Sequence, residues 1–398
     1  MIFRLRTLTI LFLTTLFAFL GWRAHSYFFD TQQPSVSLAG ITDNTYYRGD
    51  IACCIESTKP GTLSVWLDNQ PLTHGYDGIK RNREYPFTIP TQSLPNGKHS
   101  LKIELTDSSF NKNKITQEHQ FYVDNVPLQA ALVQNDTDYR ILQGRTLHVQ
   151  FQVNKEIDLA TVNALSNTYP CFAESKNSSI YEAFIPIACE ENPNEYLFTI
   201  DVTDRVGNMI TLENKFTVVM YPFKKQTLTV SQDKVQEEKE KGINQHEFEE
   251  ALISLFAQSP QEKLWRGTFC VPIDQGRTTC EYGTIRTTQE KGRYMHKAID
   301  LASLPKAVVW TPQNGKVILK DRYASSGNTI IVDHGCGILS LFFHLDNFAD
   351  IEVGQKVAQG NPIGTVGKTG YATGYHLHWE MRINNVPVDP MQWTRQTF

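Results

Sequence analysis

Apolar and polar residues alternate strictly in the segment that begins at His376. The apolar positions are Leu377, Trp379, Met381 and Ile383. Successive side chains of a strand point to opposite faces, so this alternation predicts a strand with one buried face and one solvent-facing face. The positions predicted to face solvent are His376, His378, Glu380 and Arg382.

Shorter alternating runs fill residues 34–222, separated by Gly, Pro, Asn and Asp turns. Residues 99–107 recur in form at 196–204, and each run is followed by a turn and a further strand. We therefore predict two tandem β-sandwiches, a first β module at 34–125 and a second β module at 126–222. Both resemble bacterial immunoglobulin-like modules. Their expected duty is that of a spacer, or the binding of the cell wall or of other cell-envelope proteins.

Between residues 223 and 262 the composition becomes polar and charged, which predicts a helical linker. An apolar stripe at helical spacing should pack on a neighbouring domain; its members are Phe248, Leu252, Leu255 and Phe256. His246-Glu247 opens an apparent H-E-x-x-H zinc motif, but Glu250 stands where the second histidine is needed. A solvated helix face is the better interpretation of that segment.

The first 26 residues predict export. Arg4 and Arg6 precede an apolar run from Thr7 to Trp22, and a small-x-small site follows at 24–26. Such a segment is either a cleaved signal peptide or a membrane anchor, and we favour the anchor. Either would place the remaining chain outside the cytoplasm, in the periplasm of the cell envelope.

Charge and cysteine content narrow the function further. The 398 residues carry a formal net charge of −4, and no basic tract suggests nucleic-acid binding. Seven cysteines in an exported chain predict disulfides, with at least one thiol left over. Proximity in sequence favours the pairs Cys171–Cys189 and Cys270–Cys280, and Cys336 is expected to be a free structural thiol.

The histidines between residues 296 and 378 suggest a metal site. His296 and Asp300, together with His378, offer two imidazoles and a carboxylate, which can hold zinc and leave its fourth position open. Paired C-x-x-C motifs of structural zinc sites are absent. Ordinary surface histidines remain the alternative when each motif is taken alone.

The residues from about 265 onward resemble the lysostaphin-type (LytM-like) zinc metallopeptidases, which cleave peptide bonds of bacterial peptidoglycan. The matching stretches are 295–302, 327–335, 343–345 and, most specifically, 364–380. Two departures occur: Tyr375 stands where the family commonly has Pro, and Phe342-Phe343 replace a Tyr-Ala-like pair. We expect both departures to affect the shape of the groove and to leave the ligands untouched.

The resemblance implies a mainly β fold with an antiparallel peptidase domain at 263–398. It also implies one zinc per chain, bound by His296, Asp300 and His378, with His344 and His376 as the catalytic pair that binds no metal. Such residues would transfer protons near neutral pH, and which of the two is the base stays open. The implied function is a zinc endopeptidase that cuts the stem-peptide cross-links of peptidoglycan during wall growth, remodelling or division. The alternative is a non-catalytic scaffold or activator of other wall hydrolases.

Residues near this set have open or structural roles. Asp333 and Glu380 either orient an imidazole or are solvated carboxylates at strand ends. His334, in a turn, is expected to make structural hydrogen bonds. The bond that is cut also stays open among a D-Ala to diaminopimelate cross-link, a glycine bridge and a protein substrate.

Overall fold

The structure is a computed structural model that describes residues 2–72, 76–134, 139–227, 229, 233, 236, 244–274, 276–288 and 292–398. The chain is mainly β, as predicted. It divides into two compact units, one of residues 1–127 with 205–207 and one of 128–204 with 208–398. The chain begins with helix α1, Ile2–Phe28. No helix among the described residues combines the length and apolar character that a membrane span requires.

Residues of the first β module form two sheets around one core. Its strands are β1 Val36–Ala39, β2 Tyr46–Tyr47, β3 Ile51–Ser57, β4 Gly61–Leu67, β5 Gln70–Pro71, β6 Tyr76–Ile79, β7 Glu84–Ile89, β8 Gly97–Asp107 and β9 Lys114–Val123. One sheet has the order β1-β3-β7, and the other runs β2-β9-β8-β4-β5 with β6 paired to β4. Leu101, Ile103 and Leu105 alternate into the core between them.

Residues of the second β module repeat this arrangement. Its strands are β10 Ala130–Leu132, β11 Tyr139–Leu142, β12 Thr146–Val153, β13 Ile157–Ala164, β14 Asn167–Pro170, β15 Phe172–Ala173, β16 Ile180–Pro186, β17 Glu195–Asp204 and β18 Met209–Val219. The sheet orders are β10-β12-β16-β15 and β11-β18-β17-β13-β14. The predicted repeat corresponds to the hairpins β8–β9 and β17–β18, and in each the second strand also pairs in parallel with a short strand, β2 or β11. The immunoglobulin-like topology and the module boundaries stay predictions.

The linker is only partly helical. Strand β19, Lys225–Thr227, opens it, and helix α2, Asn244–Ala257, closes it; residues 237–243 lie outside the described residues. The predicted helical linker therefore also contains a short strand at its start, because β19 pairs in parallel with β21, Ile285–Thr288. The predicted apolar stripe is confirmed, since Phe248 and Leu252 are buried in a cluster with Phe343.

The C-terminal domain, predicted at residues 263–398, has twelve strands among its described residues, and ten of them form one sheet. Its strands are β20 Arg277–Cys280, β21 Ile285–Thr288, β22 Gly292–Met295, β23 Ile299–Ala302, β24 Val308–Trp310, β25 Gly315–Tyr323, β26 Gly327–Asp333, β27 Ile338–Phe348, β28 Lys356–Val357, β29 Pro362–Val366, β30 Leu377–Ile383 and β31 Val386–Val388, followed by helix α3, Pro390–Trp393. The long path of the sheet is β20-β23-β30-β27-β26-β25-β28, while β21 and β22 join β19 in a separate small sheet.

Strand β30 confirms one half of the alternation prediction and corrects the other. Its apolar residues, from Leu377 to Ile383, lie fully buried in the main core. The opposite face is not open to solvent, because Glu380 and Arg382 are buried there. Helix α2 reaches this face, and the guanidinium of Arg382 donates to Glu249 at 3.1 Å. A helix far along the chain therefore covers the face that the local pattern left polar.

The second β module shares a core with the peptidase domain, inside one compact unit. The ring of Phe184 on β16 lies 5.7 Å, between centroids, from both Trp265 and Trp393. Beside it, Lys263 forms an ion pair of 2.5 Å with the buried carboxylate of Glu182. Burial of large aromatic rings is the main source of stability at such a contact, so these two parts support each other.

All seven cysteines are free thiols, and the two predicted disulfides are not formed. Three of the four thiols in the predicted pairs lie beside other groups instead. Cys270 Sγ lies 3.9 Å from the Thr311 carbonyl, whereas Cys280 belongs to a cluster with other side chains described below. Cys189 Sγ donates to its neighbour Glu190 at 3.0 Å. Cys336 is buried, as expected of a structural thiol.

Candidate metal centre

Three neighbouring strands place polar side chains in one row. Cys280 on β20 is the direct partner of Asp300 on β23, and Asp300 is the direct partner of His378 on β30. Directly paired residues lie on the same face of a sheet, so these side chains adjoin one another. Strand register alone therefore brings together residues far apart in sequence.

His296 joins this row from the end of hairpin β21–β22. Its backbone continues the hairpin ladder, donating to the Thr284 carbonyl at 3.0 Å and accepting from Gly283 at 2.7 Å. These bonds position the imidazole so that Nε2 lies 3.2 Å from Oδ1 of Asp300.

Two of the predicted ligands, His296 and His378, each place a ring nitrogen close to one oxygen atom of the third, Asp300. His378 Nδ1 lies 3.0 Å from Asp300 Oδ1, and His296 Nε2 lies 3.2 Å from the same atom. In a tetrahedral zinc site with bonds of about 2.0–2.1 Å, two ligand atoms are separated by roughly 3.3 Å. Both separations are close to that value, so each histidine could share a metal ion with Asp300, and the sulfur of Cys280 lies within 4.8 Å of ligand atoms of His296 and Asp300.

Electrostatics keep this carboxylate ionised and raise the proton affinity of its partner imidazole. Although burial opposes ionisation, hydrogen bonds from His296 and His378 hold the pKa of Asp300 well below its usual range. The guanidinium of Arg286 donates a hydrogen bond of 3.0 Å to the second oxygen of Asp300, Oδ2. For His378, burial lowers the pKa, but hydrogen bonds to Asp300 and Glu380 outweigh it and raise the pKa to about 9. The carboxylate of Asp300 is thus ionised and available to a cation through Oδ1, the oxygen that Arg286 does not bind.

The two remaining histidines stand beside this cluster with one nitrogen each left for chemistry. His344 Nδ1 donates to the Thr369 carbonyl at 2.8 Å, and His376 Nδ1 donates to the Gly374 carbonyl at 2.9 Å. These bonds fix the tautomer in which Nε2 carries the lone pair. The two rings lie 5.0 Å apart between centroids, and His376 Nε2 is 3.8 Å from Asp300 Oδ1. His376 precedes β30 and forms an isolated bridge, so it is not within the strand as predicted.

His344 is neutral at physiological pH. Burial, followed by the neighbouring charges of His378 and His376, lowers its pKa to about 3. Its backbone has a φ of 61°, a left-handed conformation that is uncommon for a residue other than glycine. Backbone strain of this kind persists where the surrounding structure enforces it, and it directs the ring here towards the cluster.

The structure distinguishes Glu380, which lies beside a predicted ligand, from Asp333 and His334, which make structural hydrogen bonds elsewhere. Glu380 Oε2 lies 3.9 Å from His378 Nε2, on the side of that ring away from Asp300, so it is placed to orient the imidazole. Asp333 contacts no histidine of the cluster; it accepts from Ser259 and from the Gly335 amide. Both nitrogens of His334 are hydrogen-bonded, to the Asn314 carbonyl and to the Ser340 hydroxyl, which agrees with the structural role predicted for it.

Three residues of the site were missed or misjudged from sequence. Cys280 was assigned to a disulfide, yet its sulfur lies within 4.8 Å of ligand atoms of His296 and Asp300. No motif in the sequence marks Arg286, although its guanidinium donates to Asp300 Oδ2 at 3.0 Å. Phe343 stacks flat on His378, with 5.0 Å between centroids and an interplanar angle of 9°. The expectation that this departure leaves the ligands untouched is therefore wrong.

Sequence comparisons agree with this geometry. The model of peptidase family M23 matches residues 294–390. The DD-carboxypeptidase/endopeptidase Mpg of Neisseria meningitidis is 38% identical over 97 residues, which are 24% of this chain and 22% of that protein. The peptidoglycan DD-endopeptidase ShyB of Vibrio cholerae is 32% identical over 124 residues, 30% of this chain and 29% of that protein.

Among solved structures, the catalytic domain of lysostaphin from Staphylococcus simulans is 26% identical, covering 31% of this chain and 95% of that domain, with a TM-score of 0.28. The matches to the two curated relatives span less than a third of the length of either protein. The family assignment rests on the match at residues 294–390, which contains His296, Asp300, His344, His376 and His378. Residues 294–390 of this chain form a peptidase domain of family M23.

Proposed function

We propose that this protein is a zinc-dependent endopeptidase that hydrolyses peptide cross-links of peptidoglycan. The observation that carries the proposal is the convergence of His296 Nε2 and His378 Nδ1 on Asp300 Oδ1, at 3.2 and 3.0 Å. These three residues would hold one zinc ion. A zinc ion bound there supplies a Lewis acid for the scissile carbonyl and lowers the pKa of a bound water towards about 7.

The two free imidazoles would carry the protons. The Nδ1 of His344 is bound to the Thr369 carbonyl and its Nε2 has a lone pair, so it can accept the proton of the attacking water. His376, with Nδ1 bound to the Gly374 carbonyl, can donate from a protonated Nε2 to the developing oxyanion or to the leaving amine. This division assigns the base to His344 and the acid to His376, a choice that the sequence left open.

The substrate and the place of action follow from the relatives and from the polymer. Relatives named DD-endopeptidases support a cross-link between two D-centres as the bond that is cut. Peptidoglycan lies outside the cytoplasm, so we propose an extracytoplasmic location and a role in wall growth, remodelling or division. A scaffold without catalysis is not favoured, because all three ligand positions and both catalytic histidines are present.

The direct test uses the full chain, loaded with zinc, and purified cross-linked muropeptides. Mass spectrometry should find monomers whose mass gain corresponds to hydrolysis of the cross-link. Removal of metal by a chelator, or Asp300→Asn, should abolish the products. Unchanged dimers after incubation with a protein that holds one zinc per chain would overturn the endopeptidase proposal and favour the scaffold.

A further inference from the structure

A cavity of about 800 Å³ lies between the second β module and the peptidase domain, within the same compact unit. One wall comes from the second module and the chain that leaves it, including Glu190, Tyr221 and Lys225. The facing wall comes from hairpin β21–β22 and the residues after it, including Arg293 and Lys297. None of these residues belongs to the cluster around Asp300.

The cavity is cationic with aromatic walls. Three cations line it, and only Lys297 has an ion-pair partner in the described part of the chain, Glu190 at 3.1 Å. Lys225 and Arg293 are exposed and have no acidic partner among the described residues. Tyr221 and other rings give it apolar faces. Two uncompensated cations beside aromatic rings favour a ligand with carboxylates separated by apolar groups.

The cavity and the candidate metal centre lie on opposite sides of the segment 295–297. Met295 and Lys297 line it, while His296 between them turns the opposite way and is buried against Asp300. Neighbouring residues of an extended segment point to opposite sides, which accounts for this separation. A ligand in the cavity would contact the backbone that carries His296 but would not occupy the cluster.

We propose that this cavity binds an acidic stem peptide of peptidoglycan, at a subsite separate from the bond that is cut. The identity of the ligand rests on the proposed function. Stem peptides carry free carboxylates on a backbone with small apolar side chains, which complements Lys225 and Arg293 on one side and the rings on the other. Such a site holds one strand of the polymer while the other strand is processed.

The test measures binding by the full chain with isothermal titration calorimetry. The probe is an uncross-linked muramyl tetrapeptide, which lacks the cross-link that the enzyme would cut. Arg293→Glu should raise the Kd at least about tenfold, the effect of losing one charge-assisted hydrogen bond. Arg293→Lys should restore most of the affinity, and Lys225→Glu should weaken binding in the same direction.

The matched control is Lys215→Glu, which reverses an exposed lysine on β18 outside the cavity and should leave the Kd within about twofold. The same tetrapeptide with amidated carboxylates should bind poorly to the unmodified chain. Equal Kd values for the unmodified chain and Arg293→Glu, or equal binding of the acidic and amidated peptides, would overturn the proposal. Because the probe is not cleaved, binding without hydrolysis of cross-linked dimers would refute the proposed function alone.

Discussion

Replacing His344 by alanine removes an imidazole whose ring lies 5.0 Å from His376 and whose Nδ1 donates to the Thr369 carbonyl. Both histidine and alanine carry a Cβ atom, so the left-handed backbone at position 344, with a φ of 61°, strains the two residues similarly. The structural cost is the hydrogen bond to the Thr369 carbonyl, about 1–3 kcal/mol because that carbonyl loses its partner, together with the cavity that the buried ring leaves. The fold and the cluster around Asp300 should therefore survive the change.

The rate of hydrolysis should fall in His344→Ala. Removing a general base costs typically a factor of about 10²–10⁴, or roughly 3–5 kcal/mol of transition-state stabilisation. We expect kcat/KM for cross-linked muropeptides to fall by that factor in His344→Ala. Zinc content should stay near that of the unmodified chain, because the ring is not one of the three groups at Asp300 Oδ1.

The assay combines product analysis by mass spectrometry with metal analysis of the same sample. His246→Ala is the matched control, since that histidine is exposed on α2 and should leave both readouts unchanged. His344→Gln keeps a polar side chain but supplies no base, so it should remain as slow as the alanine variant. Full activity of His344→Ala would refute the assignment and leave His376 or Glu380 as the group to examine. Loss of zinc in His344→Ala would instead place it among the ligands.

The remaining predictions concern metal, thiols and domain architecture. The full chain should bind about one zinc, and His378→Ala should lose most of it; equal zinc contents would remove His378 from the ligands. Burial lowers the pKa of His378, but the hydrogen bond to Asp300 and the nearby carboxylate of Glu380 outweigh it and raise the pKa to about 9, so a proton competes with the metal for this imidazole at pH 7. Zinc affinity measured by competition with a chelator should accordingly rise from pH 7 towards pH 9, and a flat profile would contradict this. Cys270 and Cys280 should both be alkylated in denatured, unreduced protein, whereas a peptide linked by a disulfide between them would contradict the structure. A segment of residues 263–398 should be less stable to urea than 128–398 by at least about 3 kcal/mol, the cost of uncovering one large aromatic group; equal stabilities would show that the second β module is dispensable.

Local patterns predicted the features that depend on short stretches of chain. The alternation from Leu377 to Ile383 identified the core face of β30, and helical spacing identified the stripe of Phe248 and Leu252 on α2. Both succeed because burial of a periodic apolar face is encoded within a single element. The family motifs identified the histidines and Asp300, which the fold then brings together.

Features that depend on contacts between distant elements were not predictable in the same way. Nothing near Arg382 indicates that Glu249 will cover it, because that contact joins residues from α2 and β30. Cys280 was paired with Cys270 on sequence separation, whereas strand register places it beside Asp300. Sequence proximity of two cysteines says little when the register of a sheet fixes the direction of one of them, as it does for Cys280.

The ligands do not depend equally on the family domain. Asp300 and His378 are direct partners on adjacent strands of the large sheet, so that sheet positions both. His296 follows a hairpin of the small sheet, whose third strand is β19, Lys225–Thr227, paired in parallel with β21. The placement of His296 relative to Asp300 and His378 is therefore stabilised in part by a strand that lies outside residues 294–390, in the chain that leaves the second β module.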